Sequence, residues 1–275
     1  MKTDRPSHTA ALIAFMRAVG DAGGTSVRNF SDPIARSILP TPWSLLAFPL
    51  GKIPHAARLA WLASFGSVDL APLRTAAIDA ALREFAGEQL VILGAGLDAR
   101  AYRLPELSRF RIFEVDHPAT QNYKRQQTMN LHPMAPIEYV AIDFVSERLD
   151  DVLKRSSHRP DAPTFWIWEG VTMYLARPAL RETLRAIHAC SAAGSQLAAT
   201  YLQPRRLRKL VTPLFDLVGE PLVGALGREE MESELVAAGF LLRRDTGAKE
   251  WCERFANFTP AKWYNFERLA LAEPK

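Results

Sequence analysis

The run QLVIL at 89–93 is short and continuously apolar after its first residue, and it ends directly in Gly94-Ala95-Gly96. A strand covered on both faces carries such a run, because neither side can alternate with polar residues. The glycines after it allow a tight turn and close backbone approach to a ligand at a helix N-terminus. Similar runs recur at Phe110 to Val115, Ile137 to Ile142, Thr164 to Trp168 and Gln196 to Tyr201. Helical stretches separate them at Ala99 to Leu104, Ala119 to Met129, Val145 to Arg155 and Pro178 to Cys190. This alternation predicts an α/β domain with a mostly parallel sheet.

Residues 1–88 read differently, as helices separated by prolines. The pattern predicts helices at Thr9 to Val19, Asp32 to Leu39, Ala56 to Phe65 and Pro72 to Phe85. Ser7 or Thr9 caps the first, Asp32 caps the second with Pro33 at its first position, and Gly87 closes the fourth. Near the C-terminus, Arg228 to Ala238 reads as a helix, and Phe240 to Arg244 and Arg268 to Ala272 as strands. The division is therefore one domain, 1–275: N-terminal helices to 88, a ligand-binding core over 89–201, and an insertion with the last strands over 202–275.

Hydrophobic residues make up 48% and charged residues 23% of the chain, which excludes a disordered or collagen-like protein. The net charge is only +4. The basic cluster Arg205, Arg206, Arg208 and Lys209 reads as a solvated face, since no aromatic platform accompanies it. Two cysteines, Cys190 and Cys252, make neither a disulfide framework nor a zinc site. The apolar N-terminal stretch is broken by Arg17, and the region from Trp43 to Phe65 by Pro49, Lys52, Pro54, His55 and Arg58. Neither meets the requirement for a signal sequence or a membrane span. The expectation is a cytoplasmic protein with no nucleic-acid or membrane partner, no metal, and an oligomeric state the sequence leaves open.

In doubly wound sheets ligands bind at the carboxyl ends of the strands. Here those ends carry Gly94-Ala95-Gly96-Leu97-Asp98, then Asp116, then Asp143-Phe144, then Glu169-Gly170. Gly94 to Ala99 matches the dinucleotide fingerprint G-x-G-x-x-[GA], and an acid follows at Asp116, placed to accept both hydroxyls of a ribose. A plain strand-to-helix turn and a surface aspartate would give the same letters. Two ligands suit the pattern: a nicotinamide dinucleotide and S-adenosylmethionine. A pyrophosphate would be repelled by Asp98 inside the turn. A cation bearing sulfonium and ammonium groups suits the carboxylates Asp98, Asp116, Asp143 and Glu169.

RTAAIDAAL (74–82), VILGAGLDARAYRL (91–104), FEVDHPA (113–119), Asp143-Phe144 and WEGVTMYL (168–175) occur in this order. Together they resemble the leucine carboxyl methyltransferase family, whose bacterial members include small-molecule O-methyltransferases. The resemblance runs from about Thr9 to Tyr201. It implies a class I methyltransferase-like fold: a doubly wound, seven-stranded, mostly parallel sheet with one antiparallel strand and an N-terminal helical lid. It implies that Arg74 pairs with the methionine carboxylate of S-adenosylmethionine and that Gly94 and Gly96 lie beneath the methionine moiety. Asp116 then binds ribose, Asp143 and Phe144 hold the adenine edge, and Glu169 and Tyr174 stand near the reaction centre. His117 departs from the apolar residue common at its position, and either stacks on adenine or faces solvent. Ala99 stands where threonine is common. Arg74 could instead be a helix-surface partner of Asp79 or Glu84, and Tyr174, Trp166 and Trp168 could be core.

Methyl transfer from a sulfonium needs alignment and exclusion of water more than it needs proton transfer. A carboxylate acceptor requires no base, whereas a phenol gains from one. His8, His55, His117 and His188 sit in no recognisable acid–base pair, so the reading is a small-molecule O-methyltransferase, carboxylate first and phenolic hydroxyl second. A nicotinamide-dependent oxidoreductase and a non-catalytic binding module are the alternatives. Acceptor selectivity falls to Phe15, Phe30, Trp43 and Phe48 and to the segment from Tyr201 to Leu226, which are apolar and aromatic.

Overall fold

The computed structural model describes residues 7–144, 146–204, 222–257 and 266–275. The basic cluster at 205–209, most of the 201–226 insertion and Val145 lie outside them. The N-terminal part contains α1 (His8–Asp21), α2 (Trp43–Ala47), α3 (Ala56–Ala63) and α4 (Leu70–Glu84). The core follows as β1 (Gln89–Leu93), α5 (Arg100–Arg103), β2 (Arg111–Asp116), α6 (Pro118–Gln127), β3 (Ile137–Ala141), α7 (Leu149–Lys154) and β4 (Thr164–Trp168). Then come α8 (Arg177–Ala189), β5 (Gln196–Leu202), α9 (Arg228–Ala237), β6 (Phe240–Gly247), α10 (Ala248–Phe255) and β7 (Glu267–Pro274).

The seven strands form one sheet in the order β3-β2-β1-β4-β5-β7-β6. β1 to β5 pair in parallel, and β7 runs antiparallel to both β5 and β6. This is the class I methyltransferase-like sheet that the resemblance implies, and the strand order reverses between β1 and β4. The inner strands β1, β2, β4 and β5 are buried on both faces, as their continuous runs require, whereas the edge strands β3 and β6 are only partly covered. Leu90, Ile92, Ile112, Phe165 and Ile167 pack on one side with Leu73, Ile78 and Leu82 of α4 and Trp251 of α10. Val91, Leu93, Phe113, Trp166 and Trp168 pack on the other with Leu180, Leu184 and Ile187 of α8 and Leu235 of α9. Trp166 and Trp168 are thus both core. At about 1.5–3 kcal/mol for each large apolar side chain removed from water, these two layers dominate the stability.

A third cluster positions the site. Ala11, Ala14 and Ala18 of α1 pack with Ile38, Leu39, Leu97 and Ala99, so the N-terminal helix lies on the segment that follows the glycines of β1. Ser7 caps α1, its Oγ accepting from the Ala10 N–H at 3.1 Å.

Three local expectations are corrected. Residues 33–38, the middle of the stretch 32–39, form successive turns, not a helix. Asp32 Oδ1 accepts from Ala35 N at 3.1 Å, but Oδ2 is drawn to Arg17 at 2.9 Å and Arg103 at 3.5 Å. Pro33 and Pro40 leave too short a stretch between them to close a regular helix. Gly87 is not a helix cap: α4 ends at Glu84, and its C-cap, Phe85, is already extended. Gly87 gives room instead, because a Cβ there would stand 2.5 Å from the Phe85 ring and 2.7 Å from Pro163 O. The stretch predicted helical over 145–155 is helical only from Leu149 to Lys154.

Candidate functional site

β1 ends at Leu93 and the chain turns through Gly94 and Gly96, at φ +65° and +48°. Both glycines are required there. A Cβ on Gly94 would stand 2.5 Å from Val171 Cγ2, and one on Gly96 3.3 Å from the Ala10 Cβ of α1. The turn is therefore pressed between the chain after β4 and the N-terminal helix. Arg17 of α1 fastens it further, donating from Nη2 to Leu97 O at 2.6 Å.

Asp116 ends β2 beside this turn. Its Oδ2 accepts from Gly96 N at 2.5 Å and its Oδ1 from His117 N at 2.6 Å. Burial pushes its carboxyl pKa upward, and the two N–H groups only partly offset that. His117 is half-buried, and its Nδ1 caps α6, accepting from Ala119 N at 3.2 Å. Asp143 Oδ2 accepts from Ser146 Oγ at 3.0 Å, and Phe144 is exposed.

The end of β4 brings together more charge than the sequence reading assigned. Glu169 Oε1 is 2.7 Å from Arg74 Nε, and its Oε2 is 2.8 Å from Arg100 Nη1. Arg74 Nη1 reaches Glu267 Oε1 at 2.6 Å. Arg74 is thus a buried residue on the inner side of α4, not a surface partner of Asp79 or Glu84. Arg100 also pairs with Asp79 at 2.7 Å and with Asp98, and Arg103 pairs with Asp79 at 2.7 Å. Through Asp32 and Arg17 the chain of ion pairs continues into α1. These contacts link five carboxylates (Asp32, Asp79, Asp98, Glu169, Glu267) with four arginines (Arg17, Arg74, Arg100, Arg103), an excess of one negative charge.

Burial alone would raise the Glu169 pKa, but Arg74, Arg100 and Arg17 outweigh it and hold the carboxyl well below the usual range. For Glu267 burial wins over Arg74, and its pKa is raised. Asp98 does not act as expected. Its Oδ1 accepts from Arg100 N at 2.7 Å and its Oδ2 pairs with the Arg100 guanidinium, so its charge is spent inside the protein. The argument that Asp98 repels a pyrophosphate therefore loses its force.

Tyr174, half-buried, donates from its hydroxyl to Thr9 Oγ1 at 2.9 Å and so ties the loop after β4 to α1. Gly170, at φ +70°, donates its N–H to Thr200 Oγ1 at 2.8 Å, and a Cβ on it would stand 4.0 Å from Arg74 Nη2. Among the described residues no group of His, Cys, Asp and Glu is arranged to hold a metal ion. Sequence reasoning missed Arg100, Asp79 and Glu267. The spacing Asp98-x-Arg100 was a signal for the first; nothing local pointed to Glu267.

The comparisons with known proteins place the chain in a family. A protein of Mycobacterium sp. (strain JLS), provisionally named an S-adenosyl-L-methionine-dependent methyltransferase, is 34% identical over 198 residues, covering 70% of this chain and 65% of its own. A protein of Mycobacterium marinum with the same provisional name is 34% identical over 206 residues, covering 71% of this chain and 65% of its own. The chain thus spans just under two thirds of the length of these relatives. A solved structure from Nostoc punctiforme, provisionally titled an O-methyltransferase, superposes with a TM-score of 0.51 at 14% identity, covering 74% of this chain and 55% of that one, a likeness of fold alone. The sequence profile of leucine carboxyl methyltransferase matches residues 10–188. This chain belongs to the leucine carboxyl methyltransferase family.

Proposed function

We propose that the chain is an S-adenosylmethionine-dependent methyltransferase that methylates a small organic acceptor at oxygen, a carboxylate first and a phenolic hydroxyl second. The observation that carries the reading is the convergence of the Gly94–Gly96 turn, Asp116 and the Arg74–Glu169–Arg100 ion pairs at the carboxyl ends of β1, β2 and β4. The residues fit the donor. A buried N–H of Arg100, on Nη2, has no hydrogen-bond partner among the described residues, and an entering carboxylate is an acceptor for it. The net negative charge of the ion-pair chain complements a ligand that is cationic overall.

S-adenosylmethionine, when bound, supplies a methyl group already activated on a sulfonium. Arg74, with the Arg100 Nη2 N–H across Glu169 from it, would hold the donor carboxylate, Asp116 would turn from the Gly96 N–H to the ribose hydroxyls, and Asp143 and Phe144 would flank the adenine. His117 would fix the start of α6 beside the ribose. Glu169 orients the two arginines. Both its oxygens are engaged and it is ionised far below neutral pH, so it is not placed to take a proton, which supports an acceptor that needs no base. Tyr174, through Thr9, would help α1 exclude water from the reacting atoms. Residues 1–88 then cover a donor-binding core within one domain.

Calorimetry with S-adenosylhomocysteine and NAD tests the cofactor, and binding of NAD alone would overturn the reading. Incubation with S-adenosylmethionine and a panel of carboxylic acids and phenols, read as a methyl-sized mass gain, tests the acceptor class.

A further inference from the structure

Six large apolar side chains stand exposed on α2, α3 and the turn between them. Leu45 is 67% exposed, Leu46 58%, Phe48 64%, Ile53 56%, Leu59 59% and Leu62 52%. α3 is apolar on two faces. Ala57 packs inward with Val19 of α1 and Val68, while Leu59 and Leu62, three residues apart, point outward. An amphipathic helix of a soluble protein ordinarily gives its outer face to charge. An exposed apolar patch of this kind marks a contact surface.

Charge identifies what the surface fits. Residues 33–68 contain Arg36, Lys52 and Arg58 and no aspartate or glutamate. That segment alone carries +3 of the +4 of the whole chain. The Arg58 guanidinium lies over the Trp61 ring, 4.4 Å from its centroid, beside this apolar face. A second copy docked face to face would oppose cation to cation. An anionic lipid bilayer offers negative headgroups above an apolar layer, matching both properties.

We propose that this face, from Leu45 to Leu62, seats the protein on an anionic membrane surface. The sequence expectation of no membrane partner rested on the lack of a spanning segment. No helix among the described residues is long and apolar enough to cross a membrane. Lying on the surface needs no such length. The face sits on the elements packed outside α1, so the bilayer would lie against the segment that covers the glycine turn. The inference does not depend on the methyl-transfer reading.

Flotation of the full chain with phosphatidylcholine vesicles, with and without phosphatidylglycerol, tests it. The expected result is capture by the anionic vesicles, about tenfold stronger than by neutral ones and weakened by salt. Leu59→Gln/Leu62→Gln and, separately, Lys52→Glu/Arg58→Glu should each lower capture about fivefold or more at unchanged thermal stability, because all four side chains are exposed. No capture of the wild type, equal capture by neutral vesicles, or variants that float like the wild type would each overturn the proposal. So would concentration-dependent dimerisation abolished by the leucine variant, which would assign the face to a second copy.

Discussion

Glu169 stands between Arg74 and Arg100, one guanidinium on each carboxylate oxygen, at 2.7 and 2.8 Å. The side chain is 10% exposed, so its charge is compensated by the two arginines and hardly by water. An acid in that position is an electrostatic anchor, because a guanidinium on each oxygen stabilises its charged form against protonation.

Glu169→Gln tests that assignment. Glutamine presents one acceptor and one amide donor, so an arginine N–H must face another donor. The expected cost is about 1–3 kcal/mol of stability, with a fall in donor affinity. The pH dependence has a definite sign. The folded pKa of Glu169 is depressed, so its contribution is full above the unfolded value of 4.5 and is lost as pH falls through the folded value. The glutamine variant should therefore lose less stability than the wild type on acidification below about pH 4.5. Turnover should keep its profile near neutral pH; a lost acidic limb there would identify Glu169 as a proton acceptor.

Arg74 separates two roles that one substitution would confuse. Arg74→Ala leaves Glu169 and Glu267 without their shared cation, at a cost of about 3–5 kcal/mol, so its effect on activity would be uninterpretable. Arg74→Lys keeps the charge but loses the planar fork. The expected outcome is a folded protein whose Michaelis constant for the donor rises while that for the acceptor stays nearly constant. Turnover at saturating donor should fall less than efficiency, since the lost contact exists in ground and transition states alike. A donor titration overlaying the wild type would remove Arg74 from the binding site.

Asp116→Ala should weaken donor binding about ten- to a hundredfold, the loss expected for a charged acceptor of two hydroxyls. The same change frees the N–H groups of Gly96 and His117, so a modest drop in melting temperature should accompany it. Asp116→Asn keeps one acceptor for those N–H groups and loses the charge. If ribose binding is the role, asparagine should recover stability more fully than donor affinity, and calorimetry beside thermal melting distinguishes the two.

The sheet was legible because burial on both faces writes itself as unbroken apolar runs: β1 and β4 coincide with QLVIL and TFWIW residue for residue. The glycine turn and Asp116 were legible because a tight turn and a strand-end acid leave local marks. The charge network was not. Arg74 and Glu267 are 193 residues apart, and β7 was read as starting at Arg268, one residue past the acid that matters. Asp32 looked like a helix cap, and its pull toward Arg17 and Arg103 is tertiary. The helix at 248–255 was missed although its start is marked: Glu250 Oε2 accepts from Gly247 N at 2.9 Å, three residues back.

His158 supplies a test of packing independent of the site. It is 7% exposed, its ring lies edge-on to Phe113 with centroids 5.5 Å apart, and 5.4 Å from Trp166. Its Nε2 is 3.2 Å from Thr164 Oγ1. Burial lowers its pKa from 6.5 to about 4, and Glu138 offsets this only in part. The folded protein therefore keeps the ring neutral where the unfolded chain already binds a proton. Between about pH 6.5 and 4 the unfolded state holds more protons, so stability falls as pH falls, and above that window His158 contributes no slope. The loss can reach about 3 kcal/mol at the acid end, less where water reaches the ring. His158→Gln retains a partner for Thr164 and removes the titration. Urea unfolding at pH 7.5 and pH 5 should show the wild type losing more stability between the two than the variant. Equal losses would mean that His158 is protonated in the folded protein and that its contacts with Phe113 and Trp166 open to water.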